Sequence, residues 1–149
     1  MAFLLEIPIN QIKSALKNFQ GVKRRFTFLG KIKKCKVYDD YAHHPAEINA
    51  VHSAVREMYP SKRILAVFQP HLFSRTRDFM EDFAASLAQF DELLLLDIYP
   101  AREEPIEGVT SEKLLELIPL TRKEVISKAQ LEEKLQVSKA TVKVMMGAG

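Results

Sequence analysis

Residues 63–69 (RILAVFQ) and 92–98 (ELLLLDI) are short, continuous apolar runs, and they are the strongest indication of the fold. Such runs are typical of strands that helices cover on both faces, as in parallel sheets. The segment between them has apolar residues at helical spacing: Phe79, Phe83, Leu87 and Phe90. A strand, a helix and a second strand in this order predict a parallel sheet with a helical crossover.

The same alternation continues in both directions along the chain. Further strands are predicted at 25–29, 32–41, 123–127 and 141–146, and further helices at 9–19, 45–58, 110–118 and 131–135. We expect Gly30 to form the turn between the first two strands, and Pro45 to open a helix. These elements predict an α/β fold: a Rossmann-like, open, mostly parallel sheet of about six strands, flanked by helices, with an antiparallel hairpin near the start.

Length and composition limit the class of protein. The chain has 149 residues, of which 47% are hydrophobic, which suits one globular domain and argues against disorder. There is no apolar run of roughly 20 residues and no pattern typical of a secretory signal, so we expect no membrane segment. The single cysteine, Cys35, cannot form an internal disulfide and indicates a reducing compartment. A cytoplasmic protein is predicted.

Positive charge is concentrated at the start of the chain. Residues 1–38 hold nine Lys or Arg and one Glu, whereas residues 39–149 hold 13 basic and 18 acidic residues. A basic segment of this kind can bind phosphates, nucleic acid or an acidic partner, or can simply be a solvated surface. Phe26 and Phe28 alternate as strand core rather than as a stacking platform, so nucleic-acid binding is disfavoured.

Three polar segments follow predicted strands: 39–45 (DDYAHHP), 69–77 (QPHLFSRTR) and 97–104 (DIYPAREE). The carboxyl ends of the strands line the ligand crevice of an open α/β sheet, so we expect the segments to share one edge. Helix N-termini there favour anions, and Arg75 and Arg77 would strengthen that preference. No phosphate-binding loop is present, and the only Gly-rich stretch, 147–149, follows the last strand. We expect a tight turn at this Gly-rich stretch, and we expect the natural polypeptide to continue beyond it.

Each polar residue also has a purely structural interpretation. Asp39 or Asp40 could anchor a turn, and Arg75 and Arg77 could pair with acids on their own helix. His43 and His44 with Asp40 are crowded into one turn, so we predict no metal site. Beyond these segments, Cys35 fits a structural thiol and His52 a surface or satisfied histidine.

The quoted segments are similar to the C-terminal domain of the Mur ligase family, ATP-dependent ligases of peptidoglycan synthesis. The segment 21–30 (GVKRRFTFLG) and the run MGAG at 146–149 match as well, so the resemblance covers essentially the whole chain. Within the family, the motifs resemble those of the ligases that join L-alanine to UDP-N-acetylmuramate. The resemblance implies that residues 1–20 are the tail of a central domain and a connector, and that residues 21–149 are the C-terminal domain.

The resemblance also implies roles for individual residues. Arg25 and Asp40 match nucleotide contacts, as a guanidinium suits phosphate oxygens and a carboxylate suits ribose hydroxyls. Four residues match positions near the incoming L-alanine and the acyl phosphate: Tyr41, His43, His71 and Arg75. No general base is assigned.

ATP and Mg²⁺ are implied as cofactors, bound mainly by the central domain. The implied partners are the N-terminal and central domains, UDP-N-acetylmuramate and L-alanine, and the isolated fragment is expected to be inactive. Two positions depart from the family pattern. Leu72 stands where the family often has Arg, and Ala42 stands where the family has Gly as often as Ala. Two alternatives stay open: the murein tripeptide recycling ligase, disfavoured by the run SRTR at 74–77, and a non-catalytic nucleotide- or nucleic-acid-binding module.

Overall fold

A single mixed sheet forms the centre of the molecule. The computed structural model describes residues 6–19 and 21–148. The strands are β1 (Thr27–Ile32), β2 (Cys35–Asp40), β3 (Ile64–Gln69), β4 (Glu92–Leu96), β5 (Lys123–Ile126) and β6 (Val142–Gly147). Their order in the sheet is β1-β2-β6-β3-β4-β5. β1 and β2 are antiparallel and every other neighbouring pair is parallel, which confirms the predicted fold class.

Helices cover the two faces of the sheet unequally. The helices are α1 (Ile9–Asn18), α2 (Pro45–Met58), α3 (Phe73–Asp78), α4 (Met80–Leu87), α5 (Ser111–Leu117) and α6 (Leu131–Val137), with a 3-10 turn at Lys128–Gln130. The larger core joins one face to α2, α4 and α5, whereas the smaller core joins the other face to α6.

β3 shows why these apolar runs become central strands. All six of its residues are buried. Side chains alternate across a strand, so Ile64, Ala66 and Phe68 lie in the larger core, and Leu65 and Val67 lie in the smaller one. A strand with two buried faces has to be apolar throughout, which is the pattern from which it was predicted.

The first hairpin differs from the prediction. Gly30 lies inside β1, where the pairing register shifts between Phe28 and Gly30, and the turn falls at Lys33–Lys34 instead. Gly30 has a φ of +138°, and a glycine in a strand is commonly found at such an irregularity. The glycine therefore marks a bulge rather than the end of the strand.

A short helix was also missed. Residues 73–78 form α3, separated from α4 by the non-helical Phe79, and α4 ends at Leu87 rather than at residue 90. Six residues are too few to show a helical period in sequence. α3 matters because it contains residues 73–77 of the polar segment that follows β3.

α1 is helical as predicted, but none of its ten residues is buried. Its apolar stripe is exposed, with Ile9 at 53% and Leu16 at 71%. Within residues 6–19 and 21–148, every helix is too short or too polar to cross a membrane. The predicted tail and connector at 1–20 and the Gly-rich stretch at 147–149 include residues 1–5, 20 and 149, which lie outside the described residues.

Gly147 is the last residue of β6 and pairs with Gln69, whereas the sequence predicted a turn there. Its φ is +147°, and a Cβ would lie 3.1 Å from the Gln69 carbonyl oxygen. We expect Gly147→Ala to lower the free energy of unfolding by about 1–3 kcal/mol, measured by urea denaturation. Gly108→Ala is the control, because Gly108 has a φ of +77° but no neighbour within 4 Å. Equal losses in the two variants would contradict a role for close approach.

Candidate functional site

The three polar segments meet at one edge of the sheet. The parallel strands β2, β6, β3 and β4 all point their carboxyl ends to this edge. An isolated parallel bridge joins His71, after β3, to Tyr99, after β4. The ring of His43, after β2, lies 6.1 Å from the ring of His71. The edge thus gathers side chains from segments that are far apart in sequence.

Asp40 anchors the first segment. It is the last residue of β2, and only 5% of it is exposed. One carboxylate oxygen accepts from the backbone N–H of Ala42 at 2.8 Å, and the other accepts from that of Phe26 at 2.6 Å. These bonds tie the turn after β2 to the segment before β1. Asp40, and not Asp39, is therefore the turn anchor.

Two arginines of the basic segment reach the same edge. Arg24 donates to Asp39 at 3.2 Å and to the Gly147 carbonyl at 2.7 Å, and its guanidinium lies 5.1 Å from the centre of the Tyr41 ring. The Arg25 side chain is 56% exposed and lies 3.7 Å from Glu47. Arg25 directly precedes Phe26, whose N–H donates to Asp40, and more than half of the Arg25 side chain is open to solvent.

Four rings stand in a row along the edge, and we call Tyr41, His43, His71 and Tyr99 the ring cluster. Successive ring centres are 5.0, 6.1 and 5.6 Å apart. The Nη1 atom of Arg75 lies 3.4 Å from Nδ1 of His71. The four residues expected near an amino acid substrate therefore lie in one continuous group, which Tyr99 extends.

At this edge, the N-termini of α2 and α3 each donate a backbone hydrogen bond to a carboxylate of the same chain. Glu47 accepts from the backbone N–H of His43 at 2.9 Å, and Glu103 accepts from the backbone N–H of Ser74 at 2.9 Å. Burial alone would raise the pKa of Glu47, but the N–H and charge of His43 and the charge of Arg25 outweigh it, so the pKa is lowered. The expected anion preference is thus satisfied internally at both places.

Burial, followed by the positive charge of Arg75 and then that of His43, lowers the pKa of His71 below the ordinary value of 6.5. The lowered pKa favours the neutral form of His71, whose Nδ1 atom can then accept a hydrogen bond from Arg75. Because the unfolded chain binds this proton more readily, His71 lowers stability as the pH falls below about 6.5 and has no such effect above it.

We expect Arg75→Ala to raise the pKa of His71 towards 6.5, because it removes a nearby positive charge. The measurement is NMR titration of labelled histidines, with the His71 signal assigned by its loss in His71→Asn. A pKa that stays unchanged in Arg75→Ala would contradict the geometry of this pair.

Several other residues take structural positions. The His44 ring packs on Phe79 and its side chain accepts from Ala46, so it faces away from the ring cluster. Among the described residues, no group of three or more His, Cys, Asp or Glu is placed to hold a metal ion. Arg77 pairs with Asp78, the neighbouring acid on its helix.

The remaining candidates lie away from this edge. Cys35 is a buried free thiol, and burial raises its pKa. The ring of His52 packs on Phe90, and burial lowers its pKa because it disfavours the charged imidazolium. Lys36, from the basic segment, donates to Tyr59 and lies over its ring.

An open cleft adjoins the edge on the face covered by α6. Its volume is about 480 Å³. Its lining includes the apolar side chains of Val67, Leu96 and Met145 and the charged residues Arg24 and Lys128. Lys128 also lies 5.9 Å from the centre of the Tyr99 ring, so the cleft borders the ring cluster.

Sequence reasoning did not single out four residues of this edge: Arg24, Glu47, Tyr99 and Glu103. Tyr99 and Glu103 belong to a segment placed at the edge, but nothing in the segment shows which side chain turns towards His71 or Ser74. Glu47 carries a local signal, since it lies four residues after His43 at the start of a predicted helix.

The chain is similar to known proteins in both sequence and fold. The chain is 58% identical to the UDP-N-acetylmuramate–L-alanine ligase of Christiangramia forsetii, over all of this chain and 33% of that protein. It is similar to the crystal structure of UDP-N-acetylmuramate-alanine ligase MurC from Thermotoga maritima, with a TM-score of 0.75 and 26% identity, over 99% of this chain and 32% of that one.

The fold is shared more widely. A murein peptide ligase from Psychrobacter arcticus matches with a TM-score of 0.70 and 22% identity, over 99% of this chain and 32% of that one. The chain spans about a third of the length of the curated relatives it matches. The family model described as "Mur ligase, glutamate ligase domain" matches residues 24–149. With five-sixths of its length inside that model, the chain belongs to the Mur ligase family.

Proposed function

We propose that this chain is the C-terminal domain of an ATP-dependent ligase that joins L-alanine to UDP-N-acetylmuramate. The observation that carries the proposal is the meeting of Tyr41, His43, His71 and Arg75 at one edge of the sheet. The 58% identity to a relative named for that reaction supports the choice of substrate. A cytoplasmic location fits the free, buried Cys35.

The proposed reaction has two steps. A carboxylate oxygen of the muramoyl group takes the terminal phosphoryl group of ATP, which releases ADP and leaves an acyl phosphate. The amine of L-alanine then attacks the carbonyl carbon, the tetrahedral intermediate collapses, and phosphate leaves as the amine loses a proton. The product is an amide, and this chain's contribution is to hold and orient the reactants.

In this proposal, Arg75 binds the carboxylate of L-alanine. Its guanidinium has donors to spare beyond the contact with His71, and a planar guanidinium can make two parallel bonds to a carboxylate. The lowered pKa of His71 favours its neutral form, which offers a polar contact without adding a charge beside Arg75. Tyr41 and His43 would line the remaining side of the amino acid, and we assign no general base.

Arg25 and Asp40 are the proposed nucleotide contacts. The Arg25 side chain is more than half exposed and can turn to phosphate oxygens. Asp40 uses one lone pair of each oxygen on the backbone, which leaves others to accept from a ribose hydroxyl. Asp40 would thereby fix the turn and the nucleotide together.

The phosphate-binding loop and Mg²⁺ are proposed to belong to a central domain outside this chain. Mg²⁺ prefers carboxylates together with substrate phosphates, and in the part of the chain that the structure describes no group of three or more His, Cys, Asp or Glu is placed to hold a metal ion. Residues 1–20 are then the end of the central domain and a connector. The exposed stripe of α1 and the start of the family match at residue 24 support this division.

The second candidate is a ligase of the same family that accepts a murein tripeptide. The same sheet edge could receive it, and a murein peptide ligase shares the fold. The identity to L-alanine ligases over the whole chain supports L-alanine as the substrate in this proposal. A non-catalytic nucleotide-binding module is the third candidate, and it would bind ATP without turnover.

The test is phosphate release by the full-length polypeptide with Mg-ATP, UDP-N-acetylmuramate, and either L-alanine or the tripeptide. We expect release that requires L-alanine, with the alanyl product detected by mass. Preference for the tripeptide would assign the second candidate, and absence of release with both acceptors would contradict a ligase.

A further inference from the structure

The start of α3 has no cap from its own flanking residue. Leu72 precedes the helix with a φ of +75°, which is unusual for a branched residue, and its side chain makes no capping bond. α3 nevertheless carries Arg75 in its first turn and begins two residues after His71. Something outside the helix must therefore hold this turn.

Glu103 supplies the missing cap from a distant loop. One carboxylate oxygen accepts from the Ser74 backbone N–H at 2.9 Å, and the other accepts from the Ser74 hydroxyl. Both oxygens of Glu103 are thus fixed on one residue 29 positions away in sequence. The two Ser74 bonds hold the pKa of Glu103 below its usual value, so the carboxylate is charged at neutral pH.

The backbone of the same loop holds the other side of the turn. The N–H of Leu72 donates to the Tyr99 carbonyl at 2.9 Å, and the N–H of Tyr99 donates to the Pro70 carbonyl at 2.8 Å. The Tyr99 ring is stacked on His71. The loop after β4 therefore holds the segment 70–74 through two backbone hydrogen bonds, one ring stack and the charged side chain of Glu103.

We propose that Glu103 is a positioning residue that sets the first turn of α3, and with it Arg75 and His71, in the geometry that receives the amino acid substrate. The inference rests on the proposed function, since it takes Arg75 as the group that binds the amino acid carboxylate. Glu103 acts through Ser74. Its negative charge also favours protonation of His71, whereas the positive charges of Arg75 and His43 disfavour it.

The test is steady-state kinetics of the full-length polypeptide. Glu103→Ala is expected to raise KM for L-alanine about tenfold or more, with a change of less than about twofold in KM for ATP. In Glu103→Gln, KM for L-alanine should return most of the way to the wild-type value, because the amide oxygen still accepts one hydrogen bond. Ser74→Ala should have a smaller effect, since its backbone N–H remains. Glu107→Ala, at an exposed acid of the same loop, is the matched control.

Equal rises in both KM values, or a lowered melting temperature with an unchanged KM for L-alanine, would overturn the proposal. A second readout does not depend on turnover. NMR titration of His71 should show a lower pKa in Glu103→Ala but not in Glu107→Ala. If the wild-type enzyme lacks L-alanine-dependent turnover, the proposed function fails, and an unchanged His71 pKa in Glu103→Ala would then overturn the inference separately.

Discussion

Replacing Arg75 with alanine is expected to lower kcat/KM for L-alanine by about 100-fold in the full-length polypeptide. The variant loses a charged, bidentate partner for the amino acid carboxylate, and it leaves the His71 ring without its 3.4 Å contact. KM for ATP should change little, because Arg75 is not among the proposed nucleotide contacts. The measurement is phosphate release at varied concentrations of L-alanine.

Arg77 provides the matched control for this variant. It lies on the same short helix, but its side chain is 55% exposed and pairs with Asp78. Arg77→Ala should therefore stay within about twofold of the wild type, as is usual for an exposed pair on one helix. Equal losses in Arg75→Ala and Arg77→Ala would indicate a general charge effect and would contradict a specific carboxylate site.

Phe68→Ala is expected to lower the free energy of unfolding of the 149-residue chain by about 3–5 kcal/mol. Phe68 is fully buried in the central strand β3, and its ring packs against Phe83 of α4 at 5.5 Å between centres. The truncation removes apolar contacts and leaves a cavity between the sheet and its larger helical layer. Urea denaturation, with the fluorescence or circular dichroism transition as readout, gives the change.

Phe19→Ala is the corresponding control, because Phe19 is 65% exposed at the end of α1. Phe19→Ala should change the free energy of unfolding by no more than about 0.5 kcal/mol. A small loss at Phe68 would contradict the central position of β3 in the core.

Buried apolar strands made the architecture predictable. β3 and β4 are buried along their whole length, so their sequences carry no alternation and could be placed at the centre of a parallel sheet. Gly30 was misplaced because a glycine marks turns and bulges alike, and its neighbours in sequence do not distinguish the two. α3 was missed because one and a half helical turns show no period.

The site could be predicted only in part, for a physical reason. Topology alone brings strand ends to one edge, which is why the segments that contain His43, His71 and Arg75 were predicted to lie together; the choice of these residues within the segments came from the resemblance to the family. The partner of each carboxylate depends on contacts between residues that are far apart in sequence. Examples are the bond from Ser74 to Glu103 and the bond from Arg24 to Asp39. No local pattern encodes such pairs, so they are visible only in the folded chain.

The most direct test of the account is a hydrogen–deuterium exchange footprint of L-alanine on the full-length polypeptide. The comparison is made with UDP-N-acetylmuramate and a non-hydrolysable ATP analogue present, with and without L-alanine. We predict slower exchange confined, within this chain, to the segments 40–47, 69–77 and 97–104, and loss of that protection in Arg75→Ala. Slower exchange elsewhere in the protein, with these three segments unchanged, would contradict an amino acid site at this edge of the sheet.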